Sequence, residues 1–158
     1  MIFIIIGQSG SGKTTFVRKR FLTGELSIVE DIVPYTTNGE YCAIGKYGIG
    51  IRTEGTDTLS YDAGEKIRRQ IRKLLDEGKN VVIEGDRINN RATFATIALM
   101  NVPAKLFLVV CSLETSLQRL RAAGSKITPT FVKATKTRSR NNFLKWRKRF
   151  DGEVVRND

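Results

Sequence analysis

Histidine is absent from the 158 residues, and cysteine occurs only twice, at Cys42 and Cys111. Without histidine there is no Cys/His zinc site, no imidazole general base and no Ser-His-Asp triad. Two cysteines far apart in sequence do not make a disulfide-stapled scaffold. Cys111 closes an apolar strand pattern, where a buried reduced thiol is at home. No apolar run approaches the roughly 18 residues that a membrane span requires. Met1-Ile2-Phe3 offers no basic region and no small-residue cleavage site of a secretory leader, so a cytoplasmic protein is expected. Internal repeats, low-complexity tracts and linkers are also missing. One domain over residues 1–158 follows, long enough to bury about 70% of its unfolded surface. The guanine-reading pattern N-K-x-D is absent, which argues against a GTPase switch.

The most informative absence is of acid. No carboxylate occurs between Glu114 and Asp151, a stretch holding eleven of the 27 lysines and arginines. The rest of the chain balances, so the entire net charge of +11 lies in that stretch. Charge concentrated in this way points to an anionic partner, a nucleotide or a nucleic-acid backbone.

Hydrophobic patterning supplies the fold class. Residues 1–6, 81–83 and 106–110 read as buried strands and 28–33 as a second short strand, with a last short strand around Val154 and Val155. Residues 13–22, 61–77, 90–100, 114–123 and 129–149 read as helices. Residues 35–60, rich in Gly, Thr and Tyr with short alternation near 41–44 and 49–53, read as a hairpin or irregular insert. Strands that are continuously apolar and alternate with helices predict an α/β fold. It is a three-layer arrangement with a five-stranded parallel sheet and helices on both faces. Ligands of such sheets bind at the carboxyl ends of the strands.

There, directly after the first strand, stands Gly7-Gln8-Ser9-Gly10-Ser11-Gly12-Lys13-Thr14-Thr15. It matches the P-loop pattern G-x-x-x-x-G-K-[ST]. Its glycines let backbone N–H groups of Gly7, Ser9, Gly10, Ser11 and Gly12 turn toward a phosphate. The following helix adds the positive end of its dipole. Lys13 reaches the β- and γ-phosphates, Thr14 holds Mg²⁺ and Thr15 extends the cradle. After the third predicted strand comes Glu84-Gly85-Asp86-Arg87. Glu84 is the candidate Mg²⁺ organiser, Asp86 the candidate for orienting an acceptor hydroxyl, and Arg87 a contact for an acceptor phosphate. Asp57 is a second candidate base. Tyr35, Thr36, Thr37 and Tyr41 are expected to line the acceptor pocket. In the basic stretch, Arg119 and Arg121 ahead of Gly124 are expected to form a lid over the transferred phosphoryl group, with Arg138 and Arg140 returning to it over residues 119–140. Lys145, Arg147, Lys148 and Arg149 exceed what one nucleotide needs. Trp146 among them either stacks on a base or packs in the core.

These motifs together resemble the nucleotide-kinase branch of the P-loop proteins. Residues 112–121 look like the helix leading into a guanylate-kinase lid. The segment Tyr35-Thr36-Thr37-Asn38-Gly39-Glu40-Tyr41 is faintly similar to that family's GMP-binding segment, with Asn38 where an arginine is usual. Gly55-Thr56-Asp57-Thr58-Leu59-Ser60 and Thr135-Lys136-Thr137-Arg138 are more similar to the small P-loop kinases of bacteriophages. That group includes DNA kinases that phosphorylate the hydroxymethyl group of 5-hydroxymethyluracil. The resemblance implies ATP and Mg²⁺ as cofactors and a DNA or nucleotide acceptor. A nucleoside monophosphate kinase of guanylate or thymidylate type, and a non-catalytic nucleotide-binding regulator, remain as alternatives.

Overall fold

The computed structural model describes residues 1–48 and 54–158; the alternation expected near 49–53 lies outside the described residues. The first strand, β1 (Ile2–Gly7), is an inner strand of the sheet. Its side chains alternate between two cores, as a strand's period of two requires. Ile2, Ile4 and Ile6 face one cluster and Ile5 the other, all fully buried. Burial on both faces explains why the run is apolar without interruption.

Six further strands complete one sheet: β2 (Ser27–Val29), β3 (Tyr35–Thr37), β4 (Tyr41–Ile44), β5 (Asn80–Glu84), β6 (Ala104–Val110) and β7 (Gly152–Arg156). Their spatial order is β2-β3-β4-β5-β1-β6-β7. This corrects the expected five-stranded sheet. Among the described residues there are seven strands, and the sheet is mixed. Neighbours from β4 to β7 run parallel, while β2 and β3 extend one edge antiparallel. The apolar run 28–33 is not an inner strand. Only its start is extended, Ile28 is 44% exposed, and it lies at the sheet edge. The inner place beside β5 goes to Tyr41–Ile44, with Cys42 opposite Val81. Residues 35–37 and 41–44 pair antiparallel as the expected hairpin. Four residues with Cys and Ala are too short and too weakly apolar to show in sequence that this hairpin joins the main sheet beside β5.

Among the described residues, five α-helices flank the sheet: α1 (Lys13–Arg20), α2 (Gly64–Asp76), α3 (Arg91–Leu99), α4 (Leu113–Ala122) and α5 (Pro129–Trp146). The starts of α3, α4 and α5 carry side-chain caps. Asn90, Ser112 and Thr128 each accept a hydrogen bond from the backbone N–H three residues on, and Pro129 opens α5. Gly78, at φ 75°, closes α2. The last helix ends sooner than residue 149. The chain turns after Trp146 so that Phe150 can bury beside it, with ring centroids 5.4 Å apart. Phe94 of α3 stacks on the same indole at 5.7 Å. Trp146 is thereby a packing residue. Both cysteines are buried free thiols. No helix among the described residues is long and apolar enough to cross a membrane.

Candidate active site

Strands β5 and β6 flank β1 on opposite sides, so the loops leaving their carboxyl ends diverge around the end of β1. The P-loop fills that opening. A Cβ at Gly7 would collide with the carbonyl oxygen of Val109, and Gly12, at φ 87°, is the residue preceding α1. Neither place tolerates a side chain. Buried polar groups staple the loop from below. Gln8 Nε2 donates to the Cys111 carbonyl at 3.1 Å and to Ser116 Oγ at 2.7 Å. The Ser9 N–H donates to Thr135 Oγ1 of α5 at 3.1 Å, and Asn157 Nδ2 to the Ser11 carbonyl at 2.8 Å. Lys13 Nζ lies along the loop, donating to the carbonyls of Gly7 and Gln8 at 3.1 Å each.

Above the loop, a cleft of about 1040 Å³ opens. Its walls include Ser9, Gly10, Gly12, Lys13, Thr14 and Thr15 on one side and Glu84, Gly85, Asp86, Arg87 and Asp57 on the other. Arg119 and Arg138 close it, so residues from five separate segments meet in one space. At its floor the Thr14 hydroxyl donates to Glu84 Oε1 at 2.8 Å. The Tyr47 hydroxyl donates to the same oxygen at 3.1 Å. Gly55 packs so close that a Cβ there would press on both Glu84 Oε1 and the Tyr47 hydroxyl. Burial pushes the Glu84 carboxyl above its ordinary value, against the opposing pull of Lys13 and of its two hydroxyl donors. Burial and the Glu84 charge push the Tyr47 phenol well above the ordinary range, so it remains a donor.

The outer half of the cleft holds two ion pairs. Arg138 Nη2 lies 3.2 Å from Asp86 Oδ1, tying α5 to the end of β5. Arg87 donates to Asp57 Oδ1 at 2.9 Å, with its guanidinium 4.6 Å from the Tyr61 ring centroid. From α4, Arg119 Nη1 lies 3.5 Å from the Gly10 carbonyl and 3.4 Å from that of Ser11.

Several expected site residues lie elsewhere. Tyr35, Thr36 and Thr37 do not line the cleft. Thr36 is fully buried, its hydroxyl donating to the Gly45 carbonyl and accepting from the Tyr47 N–H. Thr37 donates to the Tyr41 carbonyl, Tyr35 packs on the core, and Tyr41 packs against Phe3 and Phe21. All four belong to β3 and β4, whose side chains the sheet itself consumes. Arg121 is exposed and off the cleft, since two positions along α4 from Arg119 faces another direction. Arg140 likewise faces away from Arg138, and Lys145, Arg147, Lys148 and Arg149 are exposed outside the cleft. Tyr47 and Tyr61 were not legible as site residues. They arrive by the folding of the Gly/Tyr-rich segment, and no local spacing announces them.

The residues at the floor suit a Mg²⁺-nucleotide. The glycines form a cradle that a Cβ would fill, the Ser11 hydroxyl is buried without a partner, and Thr14 with Glu84 offers hard oxygen donors.

No protein-family model matches the chain, and no curated protein matches it. Among solved structures, the fold is similar to that of deoxyadenosine kinase from M. mycoides with bound dATP. That likeness has a TM-score of 0.52 at 13% identity, over 99% of this chain and 91% of that one. The same enzyme with dCMP and dCDP bound gives 0.50 at 13% identity, over 98% and 90%. At this identity the likeness is one of fold, the α/β P-loop fold.

Proposed function

We propose that the cleft transfers the γ-phosphoryl group of ATP to a hydroxyl of a nucleoside or to a phosphate oxygen of a nucleoside monophosphate. The observation that carries this reading is the junction of Thr14 and Glu84 beneath a P-loop, in a cleft that Asp86 also lines. Bound there through Thr14 and Glu84, Mg²⁺ would supply charge neutralisation on the phosphates. Lys13 and the P-loop N–H groups hold the phosphate oxygens as the bond to the leaving ADP breaks. With a nucleoside acceptor, Asp86 accepts a hydrogen bond from the attacking hydroxyl and takes its proton as the new P–O bond forms; an ionised phosphate oxygen attacks with no proton to lose. Arg138 holds Asp86 in place and Arg119 faces the phosphates. Arg87 and Asp57, with Tyr61, form the acceptor wall, where a base can lie against the aromatic ring. The cleft is large enough for both substrates, and the shared fold with a deoxyadenosine kinase supports a small acceptor.

A second acceptor, the hydroxymethyl group of 5-hydroxymethyluracil in DNA, is favoured by one observation: eleven cations without a carboxylate between Glu114 and Asp151. An acceptor panel separates the two. Protein, γ-labelled ATP and Mg²⁺ are mixed with deoxynucleosides, with monophosphates, or with DNA containing the modified base. Label in either small acceptor supports the main reading, and label confined to the DNA supports the second. ATP binding without label in any tube would identify a nucleotide-binding regulator and sink the kinase reading.

A further inference from the structure

Helix α5 has two charged flanks. One presents Arg138 to Asp86 inside the cleft. The other carries Lys133, Lys136, Arg140 and Arg147, spaced i, i+3, i+7 and i+14, which is the repeat of a single helix face. Arg147 keeps helical backbone angles at the C-cap, so it extends the row. At 1.5 Å per residue the row runs for about 21 Å. All four side chains are exposed, and among the described residues none pairs with a carboxylate. Glu153 on the adjacent edge strand β7 is already paired with Lys105 at 2.9 Å.

Beside this row, between α5 and β7, lies a groove of about 280 Å³. Lys136, Arg140 and Arg147 line it together with the apolar side chains of Phe143, Leu144 and Val154. Leu144 and Val154 are 52% and 51% exposed. None of these residues lines the catalytic cleft. Like charges three and four apart on a helix repel, so the row weakens the free helix. One phosphate needs one or two of these cations. A row of four beside an apolar floor matches a ligand with regularly repeated negative charge and flat apolar faces.

We infer that this flank of α5 and its groove form a docking surface for the sugar–phosphate backbone of a nucleic-acid strand, separate from the cleft. The phosphates lie along Lys133, Lys136, Arg140 and Arg147, and a base covers Leu144 and Val154. The inference is one of binding and does not depend on phosphoryl transfer.

The test is fluorescence anisotropy of a labelled 20-nucleotide DNA over a range of salt. Wild-type protein is compared with the triple variant Lys136→Ser, Arg140→Ser, Arg147→Ser, and with a charge-conserving variant, Lys136→Arg, Arg140→Lys, Arg147→Lys. Wild type is expected to show a log–log salt slope of about −3, from three to four phosphates at roughly 0.7–0.9 each. The serine variant is expected to lose about two units of slope and at least about tenfold in affinity at low salt. The charge-conserving variant should bind as wild type does. Mg²⁺-ATP affinity should be the same in all three, which shows that the fold is intact. Lys13→Ala should bind the DNA normally, so failure of the kinase reading leaves this result untouched. Equal DNA affinity and slope in the serine variant would overturn the inference. So would displacement of the DNA by an equal charge of polyglutamate, which would make the surface one for an acidic protein.

Discussion

Glu84 accepts from two hydroxyls at one oxygen, from Thr14 and from Tyr47, and is almost fully buried. Its charge is held against burial, which favours the protonated form. Glu84→Gln should therefore separate stability from activity. At neutral pH it relieves the desolvation of a carboxylate, so the urea midpoint should stay level or rise. The turnover number should fall by about a hundredfold to a thousandfold, the scale of a lost electrostatic contact to the reacting phosphates. A fall in both quantities would make Glu84 a structural residue. Tyr47→Phe leaves that buried carboxylate one donor short, and equilibrium urea denaturation should show a loss of about 1–3 kcal/mol. The P-loop residues and Glu84 were legible because each follows directly on an apolar strand, where the fold class places its ligands. Tyr47 was not. It lies 37 residues from Glu84, and only the pairing of β4 with β5 brings them together.

At the scale of elements, the sheet is read most easily where strands are buried on both faces, as in β1, β5 and β6. At the edge the signal fails. Ile28 is apolar yet exposed, and Tyr41–Ile44 is an inner strand yet short, so burial and hydrophobicity part company. The exposed edge is held by contacts that pattern does not reveal. Lys73 of α2 pairs with Asp31 at 2.6 Å, and Gln70 donates to the same carboxylate at 3.1 Å. The Lys73 hydrogen bond, with that from Gln70, pulls the Asp31 carboxyl below its ordinary value. A carboxylate depressed by folding stabilises above its unfolded value, and that stability is lost as pH falls toward the depressed one. Asp31→Asn should lower stability at neutral pH, leave it little changed below the depressed value, and so flatten the acid limb between the two. An acid limb as steep as wild type in chemical denaturation would assign that limb to other groups. Where α5 ends, Trp146 joins Phe94 and Phe150. Trp146→Ala should destabilise by about 3 kcal/mol in urea denaturation, with Mg²⁺-ATP affinity unchanged below the transition.

Across the whole molecule, charge and chemistry are partly separated. The cleft takes two arginines of the basic stretch, Arg119 and Arg138, and the other nine cations lie outside it. Their concentration was plain in sequence, but their division was not. It depends on which face of α4 or α5 each residue occupies, as Arg121 and Arg140 show by turning away from neighbours that line the cleft. The central claim is narrower than the fold: this cleft moves a phosphoryl group from ATP to an acceptor oxygen. ³¹P NMR of the protein with ATP, Mg²⁺ and a mixture of deoxynucleosides and monophosphates tests it without choosing the acceptor beforehand. The account predicts that the γ resonance of ATP declines as ADP and a new phosphorylated acceptor appear in equal amounts. Lys13→Ala should leave the spectrum unchanged. Inorganic phosphate as the sole new species, or a wild-type spectrum that stays that of ATP, would contradict it.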